Sequence, residues 1–464
     1  MPIDAYELVD RFGAATEAGA AGLLVGAGLS KAAHLPDWDE LMEFPRTRID
    51  IPAAVRDLPL VAEYYEQDPH GGRASLKQHL LTSTCPPGAA PGDGHRLLAE
   101  LPVREIWTTN YDPLIEQAVP DCRVVATEED TRLVGDGRSV VKMHGSIAPG
   151  PPPTWTSEPV VSRSDYERYA TDRPRMWALL RASYLTRTFL FLGFSFADPN
   201  VEVLLRLARA NGTATTDRHL TVLRKPTDPV DLRLHDLRVR DLEASGIAVH
   251  EVGSHGALVP LLAALVRRTR PPRLFVAGSG DRDDVLPWAE RLAGALAAVG
   301  QPDWELASLG GEAGWLTTRE LARLRRAAGE YDPARLMLFF RRKDEPVPAL
   351  DERAGTAVFT DMTRDELYPD VMARCRAVLV VGGGTRTSEE VAWARRSGLG
   401  VVPLAASGGA ALQAWQDHAG GNPPLLGGRP AATRDWQMLA DTGTGVAVQA
   451  AVRLLRQALY RLPS

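Results

Sequence analysis

The chain has 464 residues, of which 44% are apolar and 24% charged, with a formal net charge of −6. That length predicts two or more domains in a folded, soluble protein, and a negative balance without a strongly basic stretch argues against nucleic acid as the main partner. The acidic start MPIDAYELVDRF is not a signal peptide, no apolar run approaches the ~20 residues of a membrane span, and Cys85, Cys122 and Cys375 lie too far apart for a C-x-x-C pair, as expected of a cytoplasmic protein without a metal.

In chain order, GLLVGA (22–27), EIWTTN (105–110), VVKMHG (140–145), TFLFLGF (188–194), HLTVLR (219–224) and IAVHEV (247–252) read as strands alternating with helical patterns. This is the signature of βα units and a parallel sheet. The segment APGPPPTW (148–155) predicts an extended surface loop, and a helix over 201–210 is expected after the cap sequence Asp198-Pro199-Asn200. A boundary falls at VRRTRPPR (266–273), where a helical pattern ends in basic residues and two prolines. A second set follows: RLFVAGSG (273–280) as strand and glycine turn, a helix over 281–300, then strands at 335–341, 357–362, 377–384 and 400–406. The predicted fold class is α/β, with two Rossmann-like parallel-sheet domains over 1–268 and 273–464.

Four short stretches follow or lie at the strand ends, where open α/β sheets bind ligands. The first is GAGLS, where Gly26, Ala27, Gly28 and Ser30 suit either a diphosphate cradle or a tight strand-to-helix turn. In TTNYD, Thr109, Asn110 and Asp112 lie at a strand-to-helix junction; a helix cap would explain Asp112 but not Asn110. KMHGS places His144 past a strand end, in register with Asn110, as a candidate base or a structural histidine. In GFSFAD, Gly193 and Ser195 suit ribose or phosphate contacts, or an ordinary turn whose Asp198 caps the next helix.

As an ordered set these stretches resemble the sirtuin-like NAD-binding fold, over roughly residues 15 to 255. The resemblance implies that the GAG-x-S loop holds the NAD diphosphate, that the N-x-D segment contacts the nicotinamide ribose, and that His144 is the base. The four-cysteine zinc module of sirtuin deacetylases is missing. The loop KAAHLPDWDEL looks instead like that of sirtuin-like domains in bacterial antiphage proteins, whose activity is NAD hydrolysis. Breaking the nicotinamide–ribose bond develops oxocarbenium character at the ribose carbon. Without a peptide cleft the nucleophile is expected to be water, positioned with the ribose by Asn110, with His144 as base.

In the second half, RLFVAGSG and AVLVVGGGTRTSEE resemble the SLOG family of nucleotide-sensing Rossmann-like domains, through Gly382, Gly383 and Glu389. Val381 stands for the family's proline and Thr385-Arg386 for its G-T, which favours sensing over hydrolysis. Gly278, Ser279, Gly280, Gly382, Gly383 and Glu389 are the candidate effector contacts, joined by Arg341 and Arg342, which read equally as a solvated strand end. A sirtuin-like domain followed by a SLOG domain looks like the Thoeris antiphage effectors. That resemblance implies activation by a cyclic ADP-ribose isomer made by a TIR-domain partner, NAD depletion, and a homo-oligomer, tetramer or filament. A deacylase or ADP-ribosyltransferase and a non-catalytic nucleotide sensor are the alternatives.

Overall fold

The structure is a computed structural model and describes residues 2–135, 137–194, 196, 198–210, 218–298, 304–342, 354–418 and 423–460. The chain divides into two compact units, Met1–Thr269 and Arg270–Ser464.

In the first unit the strands are β1 Ala21–Val25, β2 Glu105–Thr108, β3 Arg123–Val125, β4 Ser139–Lys142, β5 Ser146–Ala148, β6 Thr154–Ser157, β7 Thr188–Leu192, β8 His219–Arg224 and β9 Ile247–Val252. Seven form one parallel sheet in the order β3-β4-β2-β1-β7-β8-β9, while β5 and β6 pair as a separate hairpin around the proline-rich loop. The central strands are almost wholly buried and mostly apolar because helices cover both faces. One face packs Leu24, Trp107, Val141 and Phe191 against the helices Pro174–Thr186, Pro199–Ala210 and Pro229–Ala244. Helices Ala5–Glu17, Asp93–Glu100 and Leu258–Thr269 pack together on the other side. The chain runs outward from β1 in both directions, so the switch point lies between β1 and β7, the crevice where doubly wound sheets take their ligand.

Between β1 and β2 the chain forms a helical layer, Trp38–Arg48, Leu58–Gln67 and Arg73–Thr84. Its core takes in Tyr111 and Val161 from loops beyond the sheet's carboxyl edge and Ile147 of β5, and Trp155 of β6 packs against it.

In the second unit the strands are β10 Arg273–Ala277, β11 Glu305–Ser308, β12 Leu336–Arg341, β13 Thr356–Thr360, β14 Ala377–Val381 and β15 Gly400–Leu404, with a two-residue pair β16 Leu425–Leu426 and β17 Arg429–Pro430. The six-stranded sheet runs β13-β12-β11-β10-β14-β15, all parallel. Alternate residues of β10 serve two cores, Leu274 and Val276 on one face, Phe275 and Ala277 on the other. Two Rossmann-like parallel sheets are therefore present. Among the described residues no helix is long and apolar enough to cross a membrane.

Candidate active site

The sequence-level candidates converge on the carboxyl edge of the first sheet. At the switch point, Gly26 N–H donates to the Leu192 carbonyl and Gly28 N–H to the Gly193 carbonyl, both at 2.9 Å. A Cβ at Gly26 would sit 2.6 Å from the Gly193 carbonyl oxygen, and one at Gly28 would sit 2.8 Å from Gly193 Cα. Gly193 itself has a φ of 60° and no room for a Cβ beside Leu29 N. The glycines thus serve the close packing of two strand-end turns, and two of their N–H groups are already spent there. The helix that follows is one turn, Ala27–Ser30, so its dipole supplies little for a diphosphate.

Beyond β2, Asn110 and Asp112 are 5% and 4% exposed. Asn110 N–H donates to Thr108 Oγ1 at 3.0 Å, while its Nδ2 donates to the Gly26 carbonyl at 3.3 Å and to Ser30 Oγ at 3.1 Å. That orientation makes Oδ1 an acceptor, and it is buried with no partner among the described residues. Ser30 Oγ donates to Asp112 Oδ2 at 3.0 Å, and His95 Nε2 lies 3.5 Å from the same hydroxyl. Asp112 Oδ1 accepts from Leu114 N–H, the first of the next helix, at 3.1 Å, so the residue both engages that helix and holds Ser30. Thr109 N–H donates to the Val25 carbonyl at 3.3 Å.

His144 follows β4, which pairs with β2 so that Lys142 lies opposite Thr108. Two residues past that pair, His144 and Asn110 occupy matching positions. The ring is 3% exposed. His144 Nε2 lies 3.4 Å from both Asp198 Oδ2 and Asn200 Nδ2, and Tyr166 meets the ring edge-on at 5.2 Å. Burial holds the imidazole below its ordinary pKa, with the Asp198 carboxylate pulling the other way and Arg173 adding to the fall. Gly145 has a φ of 110°, and a Cβ there would meet the Glu158 carbonyl and Pro159 at 2.9 Å, so this turn requires glycine.

Asp198 does cap the helix it precedes, accepting from Asn200 and Val201 N–H at 2.9 and 3.2 Å. Its other oxygen faces His144, a role that the residue order alone does not reveal because some 50 residues separate the two. His95, Asn200 and Tyr166 were not foreseen either; each lies in a helix whose pattern reads as ordinary. Ser195 lies outside the described residues. Among the described residues no three His, Cys, Asp or Glu side chains gather to hold a metal ion.

In the second unit, Gly278, Ser279 and Gly280 follow β10, and Gly382 and Gly383 follow β14, on either side of that sheet's own switch point. Ser279 Oγ and Thr387 Oγ1 lie 3.3 Å apart, and Gly382 N–H donates to Ser407 Oγ at 2.7 Å. Arg341 and Arg342 are exposed, the first donating to the Met362 carbonyl at 3.0 Å and the second 3.6 Å from Asp361. Glu389 is exposed and lies 3.8 Å from Arg364, whereas its neighbour Glu390 is buried.

Burial pushes the Glu390 carboxyl from 4.5 up to about 7, and Arg386, 3.7 Å away, only partly offsets it. A raised carboxyl pKa stabilises the fold fully below the unfolded value, and that contribution is lost as pH rises through the folded value. Glu390→Gln is therefore expected to match the parent near pH 4 and to exceed its stability at pH 8 by about 3 kcal/mol. Urea unfolding of the full chain at both pH values checks this, and no gain at pH 8 would contradict it.

Comparison with known proteins places these features in context. A family model described as a SIR2-like domain matches residues 104–247, a span that holds Asn110, His144 and Asp198 but leaves out the Gly26–Ser30 turn. The chain is 31% identical over 328 residues to a protein of Enterococcus faecium named NAD(+) hydrolase ThsA, covering 64% of this chain and 67% of that one. Proteins of the same name from Acinetobacter baumannii and Bacillus cereus are 30% and 28% identical, over 59% and 56% of this chain and 58% and 56% of their own lengths. The chain thus spans about two thirds of the first relative and little more than half of the other two.

Proposed function

The chain belongs to the family of NAD(+) hydrolase ThsA proteins with a SIR2-like domain, and on that footing we propose that it is an NAD glycohydrolase of cellular defence. The observation that carries the reaction is Asn110 Oδ1, a buried acceptor without a partner among the described residues, beside the β1–β7 crevice and level with the neutral His144 imidazole. A buried acceptor without a partner suits a water molecule or a ribose hydroxyl. NAD binds as substrate along the turns at Gly26–Ser30 and Gly193, with Thr109 and Asp112 completing the ribose side. The C1′–nitrogen bond breaks and nicotinamide leaves neutral with its electron pair. Water held by Asn110 forms the new C1′–oxygen bond, and its proton passes to His144 and then to solvent. The products are nicotinamide, ADP-ribose and a proton.

The second unit fits a SLOG sensor of a cyclic ADP-ribose isomer supplied by a TIR-domain partner. Its ligand lies along Gly278–Gly280, Gly382 and Gly383, with Arg341, Arg342 and Glu389 at the rim. The same reading makes residues 1–268 the hydrolase and 273–464 the sensor of a cytoplasmic homo-oligomer, a tetramer or filament. A sensor is physically required, since an ungated NAD hydrolase would consume the cofactor pool of its own cell; the ligand must favour the active arrangement over the inactive one. The test is nicotinamide release from NAD by the full chain with and without cyclic ADP-ribose isomers. Release that rises at least about tenfold with one isomer supports gating. Equal release in all conditions removes the sensor role and leaves the hydrolase.

A further inference from the structure

The Lys142 side chain is fully buried beneath the site, and nothing in the reaction above uses it. Burying an ammonium costs several kcal/mol unless it is paired and hydrogen-bonded. Its Nζ is 2.9 Å from Glu116 Oε1 and donates to the Asp112 backbone carbonyl. The Glu116 side chain is 12% exposed, its carboxyl pushed up by burial and drawn back by Lys142, and its second oxygen is buried with no partner among the described residues.

The placement of this group explains its cost. The ladder between β2 and β4 ends at the pair Thr108–Lys142, apart from Met143 N–H, which donates to the Thr108 carbonyl at 2.9 Å. Asn110 and His144 lie beyond it, on irregular chain whose carbonyls have no ladder partner and must be satisfied otherwise. Among the described residues two cross-ties remain. Tyr111 Oη donates to the Val160 carbonyl at 2.7 Å, and Val160 N–H donates to the His144 carbonyl at 2.8 Å. The other tie is Lys142, which reaches from the base of the His144 loop to the far side of the Asn110 turn. Resting on the NAD-cleavage reading, we infer that Lys142, held by Glu116, is a positioning residue that keeps the Asn110 and His144 loops in register for catalysis.

The test separates positioning from stability. Lys142→Met alone strands the Glu116 carboxylate and is expected to unfold at lower temperature. The double variant Lys142→Met/Glu116→Met buries no charge and should recover the parent's melting temperature. It should nevertheless show kcat for NAD lower by roughly ten- to a hundredfold with KM changed less than about threefold, because the Asn110 turn has lost its tie. Amide hydrogen exchange in residues 109–114 of the double variant should quicken at least about tenfold. A double variant that melts like the parent and keeps its kcat overturns the inference. If the parent itself releases no nicotinamide with any isomer, the hydrolase reading fails, and exchange alone decides: faster exchange upholds the tie, and unchanged protection overturns it.

Discussion

Asn110→Ala is expected to lower nicotinamide release from NAD by a factor on the order of a hundred or more while leaving the chain folded. The side chain stands where three short segments meet, tied to the Gly26 carbonyl, Ser30 Oγ and, through its backbone, Thr108 Oγ1. Removing the amide leaves those partners with other bonds. The Gly26 carbonyl still accepts from Leu29 N–H at 3.2 Å, and Ser30 still donates to Asp112. The stability cost is accordingly that of a hydrogen bond or two, about 1–2 kcal/mol. The lost acceptor has no substitute in the turn, so the effect falls on turnover. A variant that is folded by circular dichroism yet cleaves NAD within threefold of the parent would remove Asn110 from the mechanism.

His144→Ala should cost a similar factor, and the pH profile discriminates more sharply than the loss itself. The ring is enclosed by Asp198, Asn200, Tyr166 and Tyr169, with Arg173 and Asp165 acting at longer range. Burial favours the neutral imidazole, so the base form persists to pH values below the ordinary histidine range. Activity is therefore expected to stay level as pH falls through 6.5 and to decline only beneath the lowered pKa. Asp198→Asn keeps a capping side chain for the helix Pro199–Ala210 but removes the carboxylate that raises the His144 pKa. Its acid limb should move to still lower pH. A limb that moves upward, or does not move, would show that the group titrating in the parent is not His144 beside Asp198.

Much of this architecture was legible in the residues because buried parallel strands write themselves as continuous apolar runs. HLTVLR and IAVHEV coincide with β8 and β9, while the other runs overshoot their strands by the few residues that form the loops. The short pairs β5–β6 and β16–β17 have no counterpart among the predicted strands, the first pair taking in both ends of the predicted loop 148–155, and two strands of the large sheets, β3 and β11, have none either. Of these two, β3 is three residues long with two of them exposed, and β11, ELAS, lacks the β-branched residues that mark a strand. In the sequence the glycines of the first turn suit either a diphosphate cradle or a tight strand-to-helix turn. In the structure, Gly26 and Gly28 let the β1 turn lie against Gly193, a contact across more than 160 residues that no local pattern encodes. The Asp198 carboxylate at His144 and the Lys142–Glu116 pair were hidden for the same reason. In the second unit the spacing singles out Glu389, which is exposed, and says nothing of Glu390, which helix phase turns inward.

In the proposed reaction the first unit transfers the ADP-ribosyl group of NAD to water. The most direct test is to incubate the full chain with NAD, cyclic ADP-ribose isomers and no peptide, and to quantify nicotinamide and ADP-ribose together by mass spectrometry. Equimolar nicotinamide and free ADP-ribose, absent with Asn110→Ala, is the predicted result. Nicotinamide that appears only when an acylated peptide is added, with the ribose product carrying the acyl group or attached to protein, would contradict it.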